Sequence, residues 1–212
     1  MSTEKAVEKA NSTQPDKINT REKILDTAIK LFAKNGFNGT TTKKIAEAAE
    51  VNESLIFRHF STKRDLYGAI IEKKIDEEPG IELPLQIHKD TKDDYLIFSA
   101  IAERMLDKCR KDSNFIRLLH FSALEGHELS DMFFSTYVEY VNMLLCDYIE
   151  GRIADKAFKN VNPHCASQAF IGMVINHIIV QELFGEKKKN KIENEELVET
   201  FVTVFLDGIK AK

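Results

Sequence analysis

Residues 24–66 read ILDTAIKLFAKNGFNGTTTKKIAEAAEVNESLIFRHFSTKRDL, and this stretch decides the fold. Its first part has apolar residues at helical spacing, namely Ile24, Leu25, Ala28, Leu31 and Phe32. Asn35-Gly36 then provides a C-terminal stop. The sequence therefore predicts a first helix over about 20–35. We expect the polar segment 1–17 before it to be a disordered tail.

Three shorter helices follow with few residues between them. Thr40-Thr41-Thr42 offers N-caps for a second helix over 43–50, and Asn52 for a third over about 53–60. Ser61-Thr62 precedes a fourth helix, predicted from 63 to about 76. Two short helices joined by a tight turn, with a third helix packed across them, form a helix-turn-helix. We assign this domain to residues 18–66.

The second helix of such a pair enters the major groove of DNA by its N-terminal end. That end carries Asn52, Glu53 and Ser54, whose short polar side chains suit base edges or phosphates. Thr41 and Thr42 open the preceding helix, where hydroxyls and free N–H groups suit a phosphate. Positive or donor groups surround them at Lys43, Lys44, Arg58, His59, Lys63 and Arg64. Ordinary helix capping with a solvated charged face would leave the same pattern, so both interpretations stay open.

The charge distribution is uneven along the chain, whose formal net charge is −4. Residues 16–76 sum to +3 and residues 77–212 to −7. A basic N-terminal part on an acidic remainder favours an anionic partner such as DNA for the first part only. Chance variation would also produce a difference of this size.

The order of residues in 24–66 resembles the DNA-binding domain of the TetR family of transcriptional regulators. The resemblance runs without a gap over about 43 residues. It rests on Ala28-Ile29-Lys30-Leu31-Phe32 with Gly36-Phe37, Thr41-Thr42 before Ile45-Ala46, Val51, Ile56-Phe57-Arg58-His59-Phe60, Lys63 and Leu66. It implies phosphate contacts by Thr41 or Thr42, by the aromatic pair Phe57 and His59, and by Lys63.

This sequence departs from the family pattern at three positions. Phe57 stands where Tyr is usual, which removes a hydroxyl that would bind phosphate. Glu50 stands where Gly is usual in the turn, so we expect a left-handed backbone or an altered turn there. Ser54 stands where a Gly is common.

The rest of the chain is predicted to be helical after a loop over about 80–91. Apolar residues at helical spacing predict long helices over 93–111, 115–125, 129–153, 163–184 and 195–209. Alternation typical of a strand is missing, so the predicted fold class is all-α. The family resemblance implies that residues 77–212 form a larger domain for ligand binding and dimerisation.

The central helices carry more aromatic and apolar surface than they need for packing against one another. The candidates for lining a ligand cavity are Phe98, Phe115, Leu119, Phe133, Tyr137, Tyr140, Phe170, Met173 and His177. Ionisable residues are scarce on the same faces, which favours an apolar effector with few polar handles. An ordinary packed core would show the same spacing, so this interpretation also stays open.

The last two predicted helices have apolar residues on more than one face. The helix over 163–184 is apolar almost all round and therefore needs two partners. Two helices from each of two subunits would make a four-helix interface. The residues assigned to this interface are Ile171, Gly172, Ile175, Ile179, Phe201 and Phe205.

Several function classes receive no support from the sequence. Three cysteines at unrelated spacings give neither a metal site nor a disulfide framework, which fits a reducing cytoplasm. We find neither a Gly-rich phosphate loop nor a nucleophile elbow, and expect no cofactor. No apolar run approaches the ~20 residues of a membrane span, and the polar start is no secretory signal.

The sequence thus predicts a homodimeric DNA-binding regulator rather than an enzyme. We expect it to be a repressor that a small apolar effector releases from a palindromic operator. One alternative is a DNA-binding protein whose helical body docks a protein partner. A second is an all-α enzyme with an incidental helix-turn-helix.

Overall fold

The structure is a computed structural model that describes residues 13–76, 80, 82–126, 128–184 and 192–211. Its α-helices are α1 Thr13–Asn35, α2 Thr42–Ala48, α3 Glu53–His59, α4 Lys63–Asp76, α5 Glu82–His88, α6 Asp94–Lys111, α7 Asn114–Leu124, α8 Glu128–Phe133, α9 Glu139–Ala154, α10 Pro163–Leu183 and α11 Asn194–Ile209. We call α1 to α4 the head and α5 to α11 the body. The predicted all-α fold is confirmed, because the described residues contain no strand.

Local capping explains why the short head helices begin where they do. Thr41 is the N-cap of α2, and its side chain accepts a hydrogen bond from the N–H of Lys44. Asn52 caps α3 in the same way through the N–H of Ser54. Between them, Glu50 has φ 55°, the left-handed conformation expected for a residue at the usual Gly position.

The head has a core of its own. Its largest fully buried side chains are Tyr67, Phe32, Ile24, Leu25, Ile45, Ile56, Leu66, Ile70 and Ile71. Leu118 belongs to the same cluster although it lies in α7 of the body. The hydroxyl of Tyr67 donates to the carbonyl of Leu118 at 3.1 Å, so α7 is tied to the head by packing and by a buried hydrogen bond.

The body packs around a second apolar cluster, to which α5, α6, α9, α10 and α11 contribute. An ion pair closes one side of it. The carboxylate of Asp94, which is buried, accepts from Arg152 Nε at 2.7 Å and from the Tyr148 hydroxyl at 2.6 Å. A buried charge is costly without partners, and both partners of Asp94 lie in α9. The two bonds therefore connect α6 to α9.

Two predictions about irregular segments are wrong. Residues 13–17 were assigned to a disordered tail but belong to α1; the remaining tail, 1–12, lies outside the described residues. Pro15 fits there because the first-turn N–H groups of a helix have no intrahelical acceptor. The predicted loop 80–91 contains α5 and a 3₁₀ turn, Lys89–Thr91. Pro84 is again in a first turn, where it does not break the helix.

The helix predicted over 129–153 is not regular. A π-helical segment, Phe134–Val138, separates α8 from α9. The hydroxyls of Ser135 and Thr136 donate to carbonyls of the preceding turn, at Asp131 and Met132. Such side-chain bonds compete with the regular backbone ladder and distort helices. The other helix bounds agree with the sequence prediction to within two residues. None of the described helices is long and apolar enough to cross a membrane.

Candidate functional site

The N-terminal ends of α2 and α3 present polar side chains to solvent. Thr41, Asn52 and Ser54 are exposed, and so are Lys43 and Arg58. The side-chain oxygens of Thr41 and Asn52 accept from the backbone of their own helices at 3.2 and 3.0 Å. The Thr41 hydroxyl and the Asn52 amide each retain a hydrogen that could be donated to an anion. The structure thus places the predicted polar residues on accessible helix ends.

Thr42 and Glu53 are joined to each other. The Thr42 hydroxyl donates to Glu53 Oε1 at 2.7 Å, and both side chains are half-buried. A hydroxyl has one hydrogen to donate, so in this arrangement Thr42 cannot also donate to a phosphate. The resemblance left Thr41 and Thr42 as equal candidates for that contact, and the geometry separates them.

Lys63 was expected to clamp phosphate, but its ammonium is occupied within the head. It donates to the carbonyls of Phe37 at 2.9 Å and Thr40 at 3.0 Å, and lies 4.0 Å from the centre of the Phe37 ring. Burial lowers the pKa of Lys63 below its usual value, and the carboxylate of Glu125 opposes this shift. Two of its three N–H donors thus hold the loop between α1 and α2, and the phosphate contact expected of Lys63 stays a prediction.

The two aromatic residues of α3, Phe57 and His59, differ in their surroundings. Phe57 is 49% exposed. His59 is half-buried, with its ring 6.2 Å from that of Phe60. Phe57 therefore offers DNA an apolar face without a hydroxyl, whereas His59 is held against the domain.

Two of the predicted cavity residues form the solid centre of the body. Phe98 and Phe170 are fully buried, with ring centres 4.8 Å apart. Phe205, predicted at the dimer interface, contacts both rings at 4.9 and 5.2 Å. One edge-to-face pair and two tilted pairs at these distances are ordinary core packing. Phe98 and Phe170 were predicted to line a cavity, and Phe205 to lie at the dimer interface. The structure corrects both predictions, because all three rings pack in the body core.

A second group of the predicted cavity residues lies where the body meets the head. Phe115, Leu119 and Phe133 are half-buried and pack against the head core. The ring of Phe133 is 5.2 Å from Phe115 and 5.4 Å from Tyr137, a residue of the π-helical segment. The Tyr137 hydroxyl donates to Glu82 at 3.4 Å.

The remaining predicted cavity residues do not join this group. Tyr140 is 41% exposed, and Met173 packs partly against the body core. The ring of His177 meets the edge of Phe201 at 6.2 Å. Burial lowers the pKa of His177.

The residues predicted for the dimer interface differ in what they face. Ile171, Ile175 and Phe201 pack partly against the core of their own chain. Ile179 is half-buried, and Gly172 is exposed. A Cβ added to Gly172 would meet nothing within 4 Å. Gly172 therefore marks the free face of α10.

Sequence reasoning missed Glu125, the residue that follows α7. Its Oε2 accepts a hydrogen bond from the backbone N–H of Phe37 at 3.0 Å, across a separation of 88 residues. Nothing in the sequence signals this contact, because a Glu before Gly126 is an ordinary helix end. A cleft elsewhere in the head is charged rather than apolar, and its lining residues are Arg21, Glu22, Ala69, Glu72, Lys73 and Asp76.

Comparison with known proteins covers both parts of the chain. The profile of "Bacterial regulatory proteins, tetR family" matches residues 24–70. The profile of "AefR-like transcriptional repressor, C-terminal domain" matches residues 98–208. The HTH-type transcriptional regulator YvkB of Bacillus subtilis (strain 168) is 25% identical over 194 residues, covering 91% of this chain and 98% of YvkB. AcrR of Shigella flexneri is 36% identical over 77 residues, which are 36% of either chain.

Solved structures share the fold at lower identity. The structure of AibR in complex with isovaleryl coenzyme A and operator DNA has a TM-score of 0.68 at 19% identity, covering 87% of this chain and 97% of AibR. A TerR/AcrR-family regulator from Aquifex aeolicus VF5 has a TM-score of 0.62 at 19% identity, covering 87% of this chain and 96% of its own. The two matching profiles, over residues 24–70 and 98–208, together show that this chain belongs to the TetR family of DNA-binding transcriptional regulators, which are not enzymes.

Proposed function

We propose that this TetR-family regulator is a homodimeric repressor, which a small apolar effector releases from a palindromic operator. The observation that carries the proposal is the pair of capped helix ends at Thr41 and Asn52, both exposed on the basic head. We assign the DNA-binding helix-turn-helix domain to residues 18–66, with α4 continuing to about residue 76, and residues 77–212 to effector binding and dimerisation. The comparisons do not support the alternative of a protein-docking body.

Operator binding divides between phosphate and base contacts. Thr41 is the proposed phosphate donor, because its hydroxyl hydrogen is not needed by the cap it forms. Lys43 and Arg58 add cations to the same exposed surface. Asn52 and Ser54 open α3 and are the proposed readers of base edges.

Dimerisation is proposed through the free faces of α10 and α11. On α10 this face includes Ala169, Gly172 and Asn176, and on α11 Val204, which is 60% exposed. Small residues allow two copies of α10 to approach closely. A two-fold axis there would place two copies of α3 on successive major grooves, about 34–36 Å apart.

The effector is proposed to bind beside α7, at the half-buried aromatic group of Phe115, Phe133 and Tyr137. These rings adjoin a π-helical segment, and such segments are frequent at functional sites. Phe115 and Phe133 also pack against the head core, so a ligand there would act on α1 through few intervening residues. AibR was solved in complex with isovaleryl coenzyme A and operator DNA, which supports a small-molecule effector for a protein of this fold.

The test begins with selection of bound duplexes from genomic fragments, followed by an affinity comparison of Thr41→Asp and Thr41→Ser. Asp caps a helix as well as Thr does but repels phosphate, so Thr41→Asp should fold normally and bind DNA more than about tenfold more weakly. Thr41→Ser should bind like wild type. Equal affinity of both variants would contradict the proposed phosphate contact.

The effector is tested by a thermal-shift screen of lipophilic and sugar-like compounds. Lipophilic compounds should stabilise the protein and release the selected duplex, and Phe133→Ala should weaken both effects. Stabilisation by polar sugars alone would contradict an apolar effector.

A further inference from the structure

The loop between α1 and α2 is held by a residue of the body. Glu125 Oε2 accepts from the N–H of Phe37 at 3.0 Å. The other carboxylate oxygen lies over Gly36, where a Cβ would come within 2.6 Å of Glu125 Oε1. Gly36 also has φ 72°, a conformation that other residues rarely adopt. Gly36 therefore both makes the turn and leaves room for the carboxylate.

The same loop is fastened from inside the head. Lys63 donates to the carbonyls of Phe37 and Thr40 at 2.9 and 3.0 Å. The Thr40 hydroxyl, which is buried, donates to the carbonyl of Gly36 at 2.9 Å. The loop is thus a compact unit, and its next residue is Thr41, the N-cap of α2. A displacement of the loop at Phe37 would therefore also displace the start of α2.

We propose that Glu125 is a positioning residue for DNA binding, which fixes the start of α2 from the body through the N–H of Phe37. Glu125 follows directly on α7, the helix that carries Phe115 and Leu119. A displacement of α7 would withdraw the carboxylate from the loop and leave the α2 N-cap less well placed. The effect on affinity rests on the proposed contact between Thr41 and phosphate.

The experiment compares Glu125→Ala with Glu125→Gln in the full-length protein bound to the selected duplex. Both variants remove the same charge, but only Gln retains an acceptor for the Phe37 N–H. We expect Glu125→Ala to bind about fivefold more weakly than wild type and Glu125→Gln within about twofold, as the loss of one hydrogen bond would produce. Glu103→Ala, at an exposed position of α6, controls for charge removed from the body.

Amide hydrogen exchange gives a readout that does not depend on DNA. Exchange at Phe37 should accelerate in Glu125→Ala and remain slow in Glu125→Gln. If Glu125→Ala fails to fold, Glu125→Asp serves instead, since it keeps the charge and shortens the reach; it should behave as the Ala variant was expected to.

The outcomes separate this inference from the proposed function. Equal DNA affinity of the Ala and Gln variants overturns the positioning role, whether or not exchange at Phe37 changes. Faster exchange with a matching loss of affinity supports it. If instead the proposed contact between Thr41 and phosphate is wrong, Thr41→Asp should bind DNA with unchanged affinity. Exchange at Phe37 should still be faster in Glu125→Ala than in wild type.

Discussion

The hydroxyl of Thr42 donates a 2.7 Å hydrogen bond to the carboxylate of Glu53, and these are the first residues of α2 and α3. The bond links the two helices of the helix-turn-helix at their N-terminal ends. The carboxylate of Glu53 could accept from a cytosine amino group, or it could face solvent beside the helix N-terminus, which favours an acidic residue. The bond favours a third role, in which Glu53 sets the angle between the helices.

The first prediction concerns this pair. Gln at position 53 can still accept from Thr42, so Glu53→Gln should select the same operator sequence as wild type. Thr42→Val and Glu53→Ala both remove the bond, so their effects on DNA-binding free energy should overlap by about 1 kcal/mol in a double-mutant cycle. A changed base preference for Glu53→Gln at one operator position would show that Glu53 reads the DNA.

The second prediction concerns Lys63. Because its ammonium holds two carbonyls of the α1–α2 loop, Lys63→Ala should lower the free energy of unfolding by about 1.5–3 kcal/mol. Lys43→Ala is the matched control, since Lys43 is exposed beside the proposed phosphate site. It should leave stability unchanged and reduce the salt dependence of DNA binding by about one unit in the log–log slope. Urea unfolding and salt titrations check both. A stable Lys63→Ala protein with the reduced slope would restore the phosphate clamp.

Local sequence rules predicted α2 and α3 well because both helices begin at local signals. Thr41 and Asn52 cap their helices within three residues of the bonds they make. At Glu50, where the family resemblance left a left-handed backbone or an altered turn open, the structure has the left-handed backbone. These features depend on neighbours along the chain, which a sequence shows directly.

The errors arose where distant residues decide the environment. Helical periodicity marks Phe205 as apolar but does not say whether its own chain or a second copy covers it; the rings of Phe98 and Phe170 do. Lys63 finds its acceptors 23 and 26 residues away. No local pattern encodes such pairs, and the sequence-based account of Lys63 therefore assumed a free ammonium.

The third prediction concerns the dimer. A Cβ added to Gly172 meets nothing within 4 Å in the single chain, so we expect any large effect of a substitution there to come from a second copy. Gly172→Glu should therefore give folded monomers, because it would bury an unpaired charge between two copies of α10. This site is a sharper test than Ile175, which packs against its own core. Gly151→Glu is the control, since Gly151 in α9 is also exposed and unobstructed. Light scattering decides, and an unchanged dimer for Gly172→Glu would contradict the interface.

The fourth prediction concerns pH. Burial lowers the pKa of His177 in the folded state below its unfolded value of 6.5. The unfolded state therefore binds more protons, and stability should decline as the pH falls from about 6.5 toward the folded pKa. Above pH 6.5 the imidazole is neutral in both states and contributes no slope. Urea unfolding between about pH 8 and pH 5 should show a smaller decline for His177→Asn than for wild type. An identical decline in both proteins would mean that His177 does not carry this effect.

The central claim is that two copies of this chain read a two-fold symmetric DNA site through α3. Footprinting of the full-length protein on a duplex recovered from its own genome tests this most directly. We predict two protected half-sites in inverted orientation, centred about 34–36 Å apart, or more where the DNA is distorted, with two chains bound per duplex. A single unsymmetrical footprint, or protection by one chain alone, would contradict the account.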